Sequence, residues 1–380
     1  MRLFLAAGLL AIMACSKTDP IPPQTTAPAN AEAQVPAGSV AAKDGEAPPP
    51  AGLEAYRISG PRGRGNLAVY LFHLKGAPTG DFDGLTLEEG LKSGAVKVTE
   101  KVEGAEVNEL LVENTGDKPV YLQAGDTVKG GQQDRTIGVD FVLPPKSGKR
   151  TVEAFCVEPG RWSVREGGLT TASAGGRGAM GGAVFALSEN APALATNAQK
   201  LAVRLDKSQE KVWAAGKAVN ADLAAKTGGG GGTAWVKLDA DASFVLTAEN
   251  PAVTKKVDES VAALLKMPDG QADVVGAAFC INGKIQNVEL YSTGGLFRKL
   301  WPKLLRSAAT EALAKTPEGE PAKAPTEAEL RATLADLAGQ KGREELRKDG
   351  PTVRIFERDK AVLFDTECEG KVLHRQVLTK

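Results

Sequence analysis

The run Gly130-Gly-Gln-Gln-Asp-Arg135 sets two amides, a carboxylate and a guanidinium behind a pair of glycines. Groups of this kind hold small anionic ligands. Glycine lets a backbone come close to a ligand, and Arg135 and Arg161 can each clamp a carboxylate or phosphate through two parallel hydrogen bonds. Glu158, Gly160, Arg161 and Trp162 make a second polar stretch. The candidate ligand-binding or structural cluster is therefore Gln133, Asp134, Arg135, Glu158, Arg161 and Trp162. Two readings stay open. Either these side chains line a pocket, or they satisfy backbone groups and each other at a strand corner, with Arg135 or Arg161 pairing Glu158 and Trp162 packed across them. An open, partly apolar pocket favours the first; burial and mutual pairing favour the second.

No catalytic set can be drawn around them from spacing alone. Ser208 stands ahead of Gln209-Glu-Lys-Val-Trp213, where its hydroxyl serves as a helix N-cap rather than a nucleophile. His73 and His374 each fall in an apolar strand-like run, the setting of a histidine satisfied within a sheet. Two histidines and the few cysteines do not make a structural zinc cluster, which needs four converging ligands at short spacings. Cys156 and Cys280 sit in apolar runs and read as buried, inert thiols. The Gly-rich stretch from Glu166 to Gly182 lacks the strand, helix and Lys-Ser or Lys-Thr ending of a phosphate loop. Neither a metal nor a cofactor is indicated.

The N-terminus carries a separate chemistry. Arg2, an apolar run from Leu3 to Ala14 and then Cys15 have the form of a bacterial lipoprotein signal. The apolar run is too short to span a bilayer, which takes roughly 20 residues. Residues 1–14 are expected to be removed and Cys15 lipidated, anchoring the chain to a membrane of the cell envelope; Ser16 after it favours the outer membrane, facing the periplasm. Residues 15–52 then form a tether, with eight prolines between Ser16 and Gly52 and no apolar periodicity. Lys plus Arg equals Asp plus Glu at 47 each, so no overall field draws in nucleic acid. The partners expected are the membrane through the lipid, and an envelope protein or a small molecule.

With 380 residues and 42% apolar content, the chain can bury a substantial core. The folded part is expected over 53–380, with a sub-boundary near 228–232 and a spacer at 317–325. Its first half reads as short strands: Leu67–Leu74, Val107–Glu113, Val120–Gln123, Ile137–Leu143 and Thr151–Val157. One helix interrupts, from Thr86, where Thr86 and Glu89 make a capping box. The second half adds helices from Ser208, Val253, Leu296 and Glu327, and a hairpin about Asn282-Gly283. Strands over Val353–Phe356, Ala361–Asp365 and Lys371–Leu378 follow. Pro302 is expected to kink or restart the third helix, whose side bearing Arg298, Lys299, Lys303 and Arg306 reads as solvated and whose other side, with Leu300, Trp301 and Leu304, faces the core. Without strict strand–helix alternation the class is α+β, with a sandwich-like first half.

Several stretches resemble the ADP-ribosylglycohydrolase and rhodanese-phosphatase-superfamily-associated protein domain, over about residues 60 to 380. They are Leu85-Thr-Leu-Glu-Glu-Gly-Leu91, Val98-Thr-Glu100, Val107-Asn-Glu-Leu-Leu-Val-Glu-Asn114, Gly130 to Arg135, Cys156-Val-Glu-Pro-Gly-Arg-Trp162, Ser208 to Trp213, Phe279 to Lys284 and Leu296 to Leu304. Around Arg135 the family motif reads Gly-Ala-Lys-Gln-Asn-Arg. Gly130, Gln133 and Arg135 carry over, whereas Gln132 and Asp134 move the local charge two units towards negative. The resemblance implies genomic company with ADP-ribose chemistry rather than a mechanism. Two functions are expected from these observations. The first is a lipid-anchored binding or scaffold module; the alternative is a hydrolase or transferase for a nucleotide-like or ADP-ribose-like substrate.

Overall fold

Alternation of apolar and polar residues along short runs produces most of this molecule, so strands outnumber helices. The computed structural model describes residues 43–47, 53–76, 81–100, 108–159, 170–171, 184–227, 244–338, 341–347 and 350–380. In chain order the first half holds β1 (Lys43–Ala47), β2 (Tyr56–Arg64), β3 (Leu67–Leu74), β4 (Leu85–Thr86), α1 (Leu87–Lys92), β5 (Val96–Glu100) and β6 (Glu109–Asn114). It continues with β7 (Val120–Leu122), β8 (Thr127–Gly130), β9 (Arg135–Ile137), β10 (Phe141–Leu143), β11 (Gly148–Cys156), β12 (Thr170–Thr171) and β13 (Val184–Asn190). The second half holds α2 (Asn197–Leu201), α3 (Gln209–Thr227), α4 (Phe244–Ala248), α5 (Pro251–Leu264), β14 (Val274–Ile281), β15 (Lys284–Tyr291) and α6 (Gly294–Ala314). It ends with α7 (Glu327–Ala338), β16 (Gly342–Leu346), β17 (Thr352–Glu357), β18 (Ala361–Cys368) and β19 (Lys371–Thr379). The fold is α+β.

Two large sheets organise it. Nine strands pair antiparallel in the order β1-β16-β17-β18-β19-β15-β14-β3-β2. A second sheet runs β13-β5-β6-β11-β9-β8, and β13 also pairs β8, so these six strands close on themselves as a small barrel. Closure removes the exposed edges that an open sheet of such short strands would carry. Val98, Leu110, Val112, Val128, Ile137, Val152, Ala154 and Leu187 fill its interior. The same core continues through Val139 and Phe141 to Val353, Ile355, Val362 and Phe364, joining the barrel to the nine-stranded sheet. The opposite face of that sheet, with Tyr70 and Phe72 of β3, Val288 of β15 and Phe356 and Leu363 of the C-terminal strands, meets Leu330, Leu334 and Leu337 of α7.

The expected capping box forms: the Thr86 hydroxyl accepts from the Glu89 amide at 3.3 Å, and the Glu89 carboxylate accepts from the Thr86 amide at 2.8 Å. Ser208 accepts from the Lys211 amide at 3.3 Å, the N-cap role expected of it. Asn282 and Gly283 both take positive φ, 50° and 73°, as a two-residue hairpin turn requires.

Four expectations meet a different structure. Ile137–Leu143 is not one strand: Gly138 to Asp140 part β9 from β10, which belong to different sheets. Helix α6 does not restart at Pro302 but is continuous over Gly294–Ala314, where it packs against α5 and β14. Lys303 is buried rather than solvated, because its ammonium points at Asp126 and the Asn190 side chain. Lys43–Ala47, inside the stretch read as a tether, is a strand paired with β16. Residues 228–232 lie outside the described residues, as does Cys15. No helix among the described residues is long and apolar enough to cross a membrane.

Candidate functional site

One end of the barrel is polar, and the residues singled out from the sequence lie there. β8 and β9 are joined by a tight turn in which Gly130 and Gly131 take φ of 121° and 58°, a region that L side chains rarely enter. A Cβ on Gly131 would stand 2.8 Å from a Glu100 carboxylate oxygen, and one on Gly130 would stand 2.9 Å from the Ala186 carbonyl. Conformation favours glycine at both positions, and at Gly130 the neighbouring backbone leaves no room for a side chain.

Glu100, at the end of β5, receives this turn. Its Oε1 accepts from the Gln132 amide at 3.1 Å and the Gln133 amide at 3.4 Å, and the Arg135 guanidinium pairs with the same oxygen at 3.7 Å. Alternation along β5, β9 and β11 turns Glu100, Arg135 and Cys156 to the inner face, where Arg135 also contacts the Cys156 sulfur. Together they close the apolar interior with a polar plug. Asp134 accepts from the Gly130 amide at 3.1 Å, which locks the turn. Glu158 accepts from the Asp134 amide at 3.3 Å, and its carbonyl accepts from the Gln133 side chain at 3.2 Å. Gln209 of α3 brackets Cys156, its amide group bonding the Cys156 N–H at 2.9 Å and carbonyl at 2.6 Å.

The structure therefore brings Gln133, Asp134, Arg135 and Glu158 together, all 5% exposed or less and bonded to one another, to the turn and to Glu100, which is the burial and mutual pairing of the second reading rather than an open pocket. The ion-pair partner seen for Arg135 is Glu100, a residue that the sequence reading quoted in a motif without singling it out. Its signal was a carboxylate at an inward position of a strand. Arg161 and Trp162 lie outside the described residues. Burial pushes the Cys156 thiol up to about 11, against the pull of Arg135, so it stays protonated near neutrality. Cys156, Cys280 and Cys368 are all free thiols.

A second charged cluster lies deeper, and sequence reasoning missed it apart from His374. Both ring nitrogens of His374 are held by carboxylates, Nδ1 by Asp140 at 3.1 Å and Nε2 by Glu289 at 2.8 Å. All three side chains are fully buried. Asp140 also accepts from the Tyr121 hydroxyl at 3.0 Å, the Ala124 amide at 3.0 Å and the Thr366 hydroxyl at 2.8 Å, and pairs Arg204 at 3.1 Å. Glu289 is met by Lys200 at 3.2 Å and by Gln376 at 2.9 Å. Arg204 reaches in from a π-helical turn over Ala202–Asp206 and lies 4.3 Å over the Phe364 ring. The Tyr291 ring stacks on His374 at 4.5 Å.

Burial opposes a charge on His374, yet Asp140 and Glu289 overcome it and push the imidazolium up to about 9. Burial likewise opposes ionisation of Asp140 and Glu289, but the surrounding cations hold both carboxyls below their usual range. Three cations and two anions thus face one another across the layers, every one with a hydrogen-bonding partner. Such a lattice ties elements together. His73 is similarly satisfied, between Ser59 at 2.7 Å and Asp273 at 3.0 Å.

Among the described residues no group of three or more His, Cys, Asp or Glu side chains is arranged to hold a metal ion. No curated protein and no solved structure matches the chain significantly. One family does match, over residues 55–378 and hence nearly the whole folded part. The chain belongs to the ARG and Rhodanese-Phosphatase-superfamily-associated Protein domain family.

Proposed function

We propose that this domain is a hydrolase- or transferase-type module acting on a nucleotide-like, ADP-ribose-like substrate, with the polar mouth of the barrel as its site. The observation that carries the reading is the match over residues 55–378 to a family named for its association with ADP-ribosylglycohydrolases; the buried cluster of Arg135, Glu100 and Glu158 around the 130–135 turn supplies the charged groups such chemistry needs. Barrel mouths are common places for ligands. Arg135 is the cation that meets negative charge developing in the reaction. Glu100, committed to two amides and to Arg135, positions that guanidinium. Glu158 takes the proton that an attacking water or hydroxyl loses as its oxygen bonds the substrate and the leaving group departs.

The test is turnover. Wild-type protein is incubated with an ADP-ribosylated peptide and with free ADP-ribose, and products are followed by chromatography. Arg135→Ala is expected to lower the rate on the order of 100-fold, the scale for losing one preorganised charge-stabilising donor. Wild-type protein that turns over neither substrate counts against the reading.

The address proposed is the cell envelope, through a lipid on Cys15, with outer-membrane delivery. It is supported by the apolar run before Cys15 and the proline-rich stretch after it. Metabolic labelling with a palmitate analogue is expected to mark the wild-type chain and not Cys15→Ser. Equal labelling of both would exclude the anchor.

A further inference from the structure

The outer wall of the barrel, beside the mouth, carries a groove that the mouth chemistry does not use. Strand alternation turns Lys97 and Thr99 of β5, Leu111 and Glu113 of β6 and Lys149 of β11 to this outer face, while Val98, Leu110 and Val112 point inward. Registry places Lys97 and Lys149 on either side of Glu113, each directly opposite it across a strand pair. With strands about 4.8 Å apart, the two lysine Cα atoms stand roughly 10 Å from each other. Their four-carbon stems are long enough for both ammonium groups to meet above Glu113.

The surface is concave. It encloses about 470 Å³, and its floor is mostly apolar, from Leu111 and the β13 segment Ala186 to Ser188. That volume falls within the range of small-molecule sites, roughly 300–1,000 Å³. A solvated lysine pair on a flat sheet would offer charge without such a floor. The groove also adjoins the mouth: Thr99 precedes Glu100, and the Ala186 carbonyl accepts from the Gly131 amide at 3.0 Å.

We infer that this groove binds the nucleoside diphosphate portion of the substrate, Lys97 and Lys149 taking the diphosphate, Leu111 and the β13 wall the base, and Glu113 a ribose hydroxyl. The choice of a nucleotide rests on the function proposed above. The choice of place rests on charge and shape. Two cations around one anion complement a diphosphate that carries sugar hydroxyls better than a bare anion, for which Glu113 is repulsive. A ligand seated here lies along β5, on the outer face of the strand whose last residue, Glu100, faces inward.

Calorimetric titration of the full chain with ADP, ADP-ribose and inorganic pyrophosphate tests the site. Wild-type protein should bind ADP and ADP-ribose more tightly than pyrophosphate, and increasingly weakly as salt rises. Lys97→Ala/Lys149→Ala, at exposed positions, should weaken both nucleotides at least tenfold, whereas Arg135→Ala should leave ADP affinity within about threefold. Unchanged nucleotide affinity in the double lysine variant, or no ADP binding by the wild type, overturns the groove. Binding that depends on the lysines in a protein without turnover upholds the groove and sinks the mouth chemistry. Turnover with binding indifferent to the lysines does the reverse.

Discussion

The barrel mouth and the His374 lattice both bury charge, but they are built differently. Around His374, side chains from two helical turns, four strands and a connecting loop converge, and the ring is saturated on both nitrogens. At the mouth, one carboxylate gathers two backbone amides of a glycine turn and one arginine. The first arrangement ties layers together. The second shapes a short loop and places its polar groups at the end of a barrel. Buried charge alone therefore does not mark a site; its place in the fold and the backbone around it do.

The largest effect should come from breaking the lattice. Glu289→Ala leaves Lys200 and His374 buried beside less opposing charge, and removing one partner of a buried pair typically costs about 3–5 kcal/mol. Urea unfolding should show that loss, with the unfolding slope unchanged. A loss below 1 kcal/mol would mean that the lattice is not what joins the layers.

The pH profile separates the two regions next. A histidine whose folded pKa is raised from 6.5 to about 9 contributes stability that is complete below about pH 6.5 and disappears as pH rises through 9. The shift corresponds to on the order of 3 kcal/mol. Asp140 and Glu289, held low, act in the opposite direction: their contribution is present above the ordinary carboxylate range and is lost as pH falls. Unfolding free energy measured from pH 6 to 8.5, below the range where the thiols of the unfolded chain ionise, should therefore fall in the wild type and far less in His374→Gln, while mouth variants keep the wild-type slope. Parallel wild-type and His374→Gln profiles would remove the histidine from the account.

A smaller effect is expected where only a helix end is touched. Thr86→Ala removes one half of the α1 capping box and should cost about 1 kcal/mol without altering turnover or nucleotide binding. A change in turnover would extend the site from the mouth to α1.

Local signals made much of this legible beforehand. Thr86 and Glu89, Ser208, and the Asn282-Gly283 turn act within a few residues of themselves, so composition and spacing suffice to place them. Closure of the barrel is not local: β13 meets β8 and β5 across long stretches of chain, and no periodicity announces such a pairing. The lattice was hidden for the same reason. Asp140, the neighbouring Lys200 and Arg204, and Glu289 lie far apart in sequence, and each reads on its own as a solvated charge. Lys303 shows the limit of helical periodicity, which places a residue on a flank but does not say that Asp126 and Asn190 wait there. The mouth was half visible: Gln133, Asp134, Arg135 and Glu158 stood out by their chemistry, whereas Glu100 needed the fold to bring it under the turn.

The central claim is that the mouth performs chemistry and the lattice holds the scaffold, and Glu100→Gln tests it most directly. The substituted amide oxygen still accepts from the Gln132 and Gln133 N–H groups, but the negative charge that holds Arg135 is gone. Turnover of an ADP-ribosylated peptide and urea unfolding should be measured on the same preparations. The account predicts a rate lowered on the order of 100-fold, with a smaller loss of stability than Glu289→Ala shows, because the two amide bonds of the turn are kept. Wild-type turnover in Glu100→Gln would contradict it.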